Sequence, residues 1–180
     1  MSSSKTRKLV QAALLAAVYT TLTLVMGTLS FGFDTGLGFI QLRVAEAMTL
    51  LPVFSPTAIV GVTLGCALSN AVGFSMGLNI LGAYDILFGT AATLIASILT
   101  YYLRKVRIKN VPFLAALPPI LVNAVIIGLE LTWMLSGRFV AQVFWIQAAG
   151  VAVGQTIACI GLGIPMVAMM EKTGFSKKFL

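Results

Sequence analysis

Between residues 39 and 54 the chain reads FIQLRVAEAMTLLPVF, which sets Gln41, Arg43 and Glu46 inside an otherwise apolar stretch. Asn70, Asp85, Asn123, Glu130, Gln147 and Gln155 interrupt later apolar runs in the same way, and Trp133 follows Glu130 by one helical turn. The chain has no histidine, which removes Ser–His–Asp triads, histidine proton relays and most zinc sites. Holding a ligand is the chemistry these residue types suit. Three carboxylates (Glu46, Asp85, Glu130) against one guanidinium (Arg43) favour a cation or a molecule rich in N–H donors, and disfavour an anion. A carboxylate that accepts two N–H bonds reads a guanine-type edge, and Trp133, Trp145 or Tyr84 offers a face for stacking on the ring.

Each residue also has a structural reading. Arg43 and Glu46, at i and i+3, suit an ion pair that fixes a short helix. Asp85 suits a helix cap at a wet interface, and Asn70 suits a bond between neighbouring helices. Asn123 and Glu130 are seven apart and share a helical face. Glu130 has no basic residue within a turn, so a ligand role is favoured there.

The elements that position these groups follow from composition. The chain of 180 residues is 59% hydrophobic and 9% charged, with a mean hydropathy of +1.02. Its apolar runs are long enough to cross about 30 Å of hydrocarbon at about 1.5 Å per residue. None alternates with period two, so an all-α integral membrane protein is expected, a single domain over 1–180. Six spans are predicted: 9–30, 41–54, 56–74, 82–103, 112–135 and 143–170, the last bending or ending near Pro165. The first run is too long for a signal-peptide core and lacks a small-residue cleavage site.

Lys5, Arg7 and Lys8, then Arg104, Lys105, Arg107 and Lys109, then Lys172, Lys177 and Lys178 account for ten of the twelve basic residues. With six spans these fall on one side, so both termini are expected in the cytoplasm of a multi-pass cell-membrane protein. The net charge of +7 is thus a topology signal rather than a mark of nucleic-acid binding. On this orientation the polar residues gather in the outer leaflet. An ionisable group in hydrocarbon costs about 2.5–3.5 kcal/mol, so a cluster of them implies a polar pocket open to the outside.

Small residues mark packing faces. Ala12, Ala16 and Thr20 form one stripe of the first span, with Ala13, Ala17 and Thr21 beside it. That double width leaves part of Ala12, Ala13, Ala16 and Ala17 for docking a partner. Gly61, Gly65, Ser69 and Gly73, and then Gly150, Gly154 and Ala158, suit internal helix contacts. Cys66 and Cys159 stand alone in apolar runs and form neither a disulfide framework nor a metal site. No cofactor is expected, and no nucleotide-binding loop is present, so ATP-driven transport would need another subunit. The aspartate pair of an intramembrane protease is incomplete, and an enzyme is not expected.

The stretches FIQLRVAEAMTLLPV, SPTAIVGVTLGCALSNAVG, YDILFGTAATLIASILTYYLRK, LPPILVNAVIIGLEL and FWIQAAGVAVGQ together resemble the queuosine-precursor transporter (QueT) family, substrate-binding S subunits of energy-coupling factor (ECF) transporters. The resemblance spans nearly the whole chain, and Q-x-R-x-x-E-A at Gln41 to Ala47 is its most specific part. It implies an S-subunit-like bundle of six helices with an outward-facing site. It also implies docking on a transmembrane T subunit with two cytoplasmic ATPases. The implied ligand is a 7-deazaguanine such as 7-aminomethyl-7-deazaguanine, its nitrile, or queuine. The loop FGFDTGLG before Gln41 is longer and richer in glycine than that family's pattern. A self-sufficient carrier or channel for small solutes, and a membrane assembly factor without a ligand, are the alternatives.

Overall fold

A computed structural model describes residues 3–35, 39–108 and 111–175. Among these, five helices are long and apolar enough to cross a membrane: Lys5–Val25, Thr57–Ser75, Tyr84–Leu103, Phe113–Ser136 and Ala141–Lys172. In hydrocarbon a backbone group has no water to bond, so helices that satisfy their own N–H and C=O groups are the form these runs take. The chain order is α1 (Ser3–Val25), α2 (Thr28–Phe31), β1 (Phe33–Asp34), β2 (Phe39–Ile40), a 3-10 helix (Val44–Val53), α3 (Thr57–Ser75) and α4 (Tyr84–Leu103). A 3-10 turn (Phe113–Ala116) leads into α5 (Leu117–Ser136), then α6 (Ala141–Thr156), a π-helical stretch (Ile157–Gly163) and α7 (Ile164–Lys172).

Two expectations change. The segment 41–54 is not an α-helix. It starts as extended chain, and its ten-residue 3-10 part spans about 20 Å at about 2.0 Å per residue. That is short of the roughly 30 Å hydrocarbon core. Nine of those ten residues, from Ala45 to Val53, are buried, so this element is wedged in the middle of the bundle with protein on every side. The last span neither breaks nor ends at Pro165. It continues from Ala141 to Lys172 through the π-helical stretch Ile157–Gly163, whose wider turns just before Pro165 make room for the ring and its missing N–H.

Contacts between helices set their directions. A Cβ on Gly61 would come within 2.7 Å of Leu15 Cβ, and one on Gly65 within 2.6 Å of Tyr19 Cβ. Hence α1 and α3 run parallel in near backbone contact. The pair α4–α5 is joined at one end by Thr100 Oγ1 donating to the Ala115 carbonyl at 2.9 Å. Gly128 on α5 packs on Ala148 of α6, and Gly137 ends α5 in the left-handed conformation at φ 63°. Leu14, Val18, Leu64, Leu68, Leu121 and Val125 point outward from these helices, an apolar belt suited to lipid tails.

This arrangement gives the bundle two unlike ends. Lys5, Arg7, Lys8, Arg104, Lys105, Arg107 and Lys172 gather at one; Lys109, Lys177 and Lys178 lie outside the described residues. The other end carries the 26–43 segment, including the small antiparallel pairing of β1 with β2, of whose connection residues 36–38 are outside the described set.

Candidate functional site

The buried polar groups collect toward that second end. Arg43 stands in extended backbone (φ −92°, ψ 97°) at the start of the 3-10 helix and is almost fully enclosed. Its Nη2 faces Asp85 Oδ2 at 3.4 Å, its Nε donates to the Ser30 carbonyl at 3.3 Å, and its Nη1 to Cys66 Sγ at 3.6 Å. The guanidinium also sits over the Phe31 ring, 5.5 Å from its centroid.

The expected Arg43–Glu46 ion pair is therefore corrected: the guanidinium pairs with Asp85 on α4. The reason is backbone geometry. Gln41 and Arg43 lie on an extended strand rather than a helix, so Arg43 and Glu46 are not one α-helical turn apart. Glu46 instead takes a hydrogen bond from the Tyr19 hydroxyl on α1. Asp85 is likewise no exposed cap. It is fully buried, and its Oδ2 also accepts from Asn79 Nδ2 at 2.9 Å. Asn70 Nδ2 donates to the Asp85 carbonyl at 2.7 Å, tying α3 to the start of α4 as an interhelical bond.

Glu130 differs from all of these. It is 7% exposed, and among the described residues neither of its carboxylate oxygens has a hydrogen-bond partner. Glu46 Oε2, Asp85 Oδ1, Asn70 Oδ1 and Gln41 Nε2 are also buried without a partner. Buried polar atoms are normally paired, and leaving one unmade costs about 1–3 kcal/mol. Four unpartnered acceptor-bearing side chains and one amide donor at one end suit a ligand rich in N–H groups that offers an acceptor of its own.

The remaining candidates divide. Asn123 is buried but donates to the Pro119 carbonyl of its own helix at 2.8 Å. Gln147 Oε1 accepts the Phe39 backbone N–H at 2.9 Å, and Gln155 Oε1 faces Cys159 Sγ at 3.6 Å. Trp133, Trp145 and Tyr84 are each more than 60% exposed, outside the buried set. The rings that do line it are Tyr19 and Phe31, both fully buried and absent from the candidate list. Tyr19 left a signal: a phenol in mid-span needs a hydrogen-bond partner when buried. Asn79, in the loop before Asp85, left none.

The four alanines of the first span separate too. Ala12 and Ala16 are buried against α3, which corrects their assignment to an external partner, whereas Ala13 and Ala17 are exposed. The glycines they abut explain this, since Gly61 and Gly65 bring the α3 backbone onto that stripe.

Comparison with known proteins identifies a family. The family model described as QueT transporter matches residues 9–172. A curated relative, the queuosine precursor transporter QueT of Lactococcus lactis subsp. cremoris (strain MG1363), is 33% identical over 95 residues, 53% of this chain and 50% of that protein. The match thus spans about half the length of that relative. No solved structure matches.

Proposed function

This chain belongs to the QueT transporter family, and from that premise we propose that it is the substrate-binding membrane subunit of an ATP-driven, ECF-type importer. Its ligand is a queuosine precursor, a 7-deazaguanine such as 7-aminomethyl-7-deazaguanine, or queuine. The observation that carries this reading is Glu130, buried with both carboxylate oxygens unpartnered among the described residues. A guanine-type edge brings two parallel N–H donors to such a group, and an aminomethyl ammonium brings the positive charge that three carboxyls and one guanidinium lack. The Lactococcus relative, a queuosine precursor transporter, supports the same ligand class.

In the cell membrane residues 39–43 and the 3-10 element that follows them, about 36 Å together at about 3.3 and 2.0 Å per residue, complete six crossings. The basic end then lies in the cytoplasm under the positive-inside rule, and the Glu130 end faces outside. The chain carries no nucleotide-binding loop, so uptake requires a T subunit and two ATPases, with the exposed Ala13–Ala17 stripe of α1 as the docking face.

Mass spectrometry of the small molecule that co-purifies tests the ligand. Vesicles containing this chain alone should bind 7-aminomethyl-7-deazaguanine without accumulating it, and ATP-dependent accumulation should appear when the T subunit and ATPases are added. Concentrative uptake by the lone chain on an ion gradient would replace this reading with a self-sufficient carrier.

A further inference from the structure

The glycines of α6 pack against something other than a helix. A Cβ on Gly150 would collide with the Phe39 carbonyl oxygen, and one on Gly154 with the Gln41 carbonyl oxygen. Gln147, on the same face of α6 at i, i+3 and i+7, accepts the Phe39 N–H at 2.9 Å. The extended segment 39–42 therefore lies along α6 in backbone contact. Its other side is held by Leu42 N donating to the Leu29 carbonyl at 3.0 Å.

Burial along this segment alternates: Phe39, Gln41 and Arg43 are buried, while Ile40 and Leu42 are only partly so. That is the period of extended chain, in which a one-residue slip turns every inward side chain outward. Phe39 anchors the inward face among Leu81, Ile127, Leu131 and Val151, which includes the α5 turn that carries Glu130. Gln41, next on that face, is 3% exposed and holds an unpartnered Nε2. Gly161, later in the same long helix, has nothing within 4 Å of an added Cβ, and Gly163 would meet the Ala47 carbonyl oxygen only at 3.2 Å, so the outright collisions fall on segment 39–42.

We propose that Gln147, Gly150 and Gly154 form a seat that fixes the register of segment 39–42, and that this register presents the Gln41 amide to an acceptor on the ligand. They are positioning residues that act through Gln41. The proposal rests on the ligand-binding reading above.

The test combines thiol labelling with ligand titration. An Ile40→Cys probe reports the strand, since both native cysteines are buried. Gly154→Ala should speed maleimide labelling of that probe about tenfold and weaken binding of 7-aminomethyl-7-deazaguanine about tenfold. Gly161→Ala should change neither. Gln147→Ala, which adds no atoms, should also speed labelling, and it serves where Gly154→Ala does not fold. Gln41→Ala should weaken binding as much as Gly154→Ala, and the double variant should be no worse than either, because one route cannot be lost twice. Unchanged labelling in both α6 variants, or losses that multiply in the double variant, would overturn the proposal. If the parent binds none of the probe ligand, the functional reading falls with the role of Gln41, and labelling still decides the seat.

Discussion

Among the described residues two arginine–carboxylate pairs stand at opposite ends of the bundle. Arg107 meets Glu171 through two hydrogen bonds, at 3.1 and 2.7 Å, with about a third of each side chain exposed. Arg43 meets Asp85 through a single 3.4 Å contact, with both side chains buried. The better geometry is thus where charges are cheap, and the poorer where they are dear. A buried pair offsets its desolvation only with close contacts and every remaining lone pair satisfied. Here Asp85 Oδ1 and both Glu130 oxygens stay unpartnered. Stability alone does not account for that interior, whereas a site built to receive hydrogen-bond donors does.

Breaking the interior pair should give the largest effect. Arg43→Ala removes the counter-charge of Asp85 and the bonds to Ser30 and Cys66 together. A loss of about 3–5 kcal/mol is expected, read as a large drop in the melting temperature of the detergent-solubilised protein. The double variant Arg43→Ala/Asp85→Ala should recover part of it. If the single variant melts like the parent, the interior pair contributes nothing to stability and the comparison of the two pairs collapses.

Glu130→Gln sharpens the distinction between holding the fold and holding a ligand. Glu130 has no hydrogen-bond partner to lose among the described residues, so melting should barely move. Ligand binding should weaken on the order of ten- to a hundredfold, from the loss of a charge-assisted hydrogen bond of about 1.5–3 kcal/mol. Isothermal titration with 7-aminomethyl-7-deazaguanine checks this, and parent-like affinity would remove Glu130 from the site.

The two alanine stripes of α1 extend the comparison between inward and outward faces. Ala16→Trp drives a ring into the contact with Gly65, and overpacking of this kind costs about 1–3 kcal/mol. Ala17→Trp lies on the exposed stripe, so it should leave melting and ligand binding intact while blocking assembly with the T subunit. Assembly that proceeds normally in Ala17→Trp would move the docking face elsewhere.

Much of this organisation was legible in the sequence. Apolar run lengths placed four of the five long helices within two residues of their ends and the first, expected at 9–30, four to five residues late, because in lipid length and hydropathy leave few other solutions. That Gln41, Arg43, Glu46, Asp85 and Glu130 are buried was legible because ionisable or amide groups in apolar runs are costly enough to be kept from lipid. Their partners were not legible. Local spacing linked Arg43 to Glu46, whereas the real partner is forty-two residues away on α4. The segment from Gln41 to Val53 carries apolar content suited to a helix, yet burial on all sides and Pro52 within it favour extended and 3-10 backbone. Small residues at Gly150 and Gly154 suggested a helix neighbour, but spacing alone does not say whether a helix or a strand will come that close.

The smallest effect belongs to the surface pair. Arg107→Ala removes two well-formed hydrogen bonds to Glu171, so a count of contacts would rank it above Arg43→Ala. Solvent reverses that order. Both side chains keep about a third of their surface, so water replaces most of what is lost, and exposed pairs contribute about 0.2–1 kcal/mol. Ionic strength then separates the two ends. At 1 M salt the Debye length falls to about 3 Å, so the small deficit of Arg107→Ala should vanish while that of Arg43→Ala, sheltered from ions, persists. Melting curves of both variants at low and high salt decide the matter. A deficit in Arg107→Ala that survives 1 M salt would mean that this pair clamps the residues around Arg107 to α7 by more than charge, and that the basic end is not the passive one.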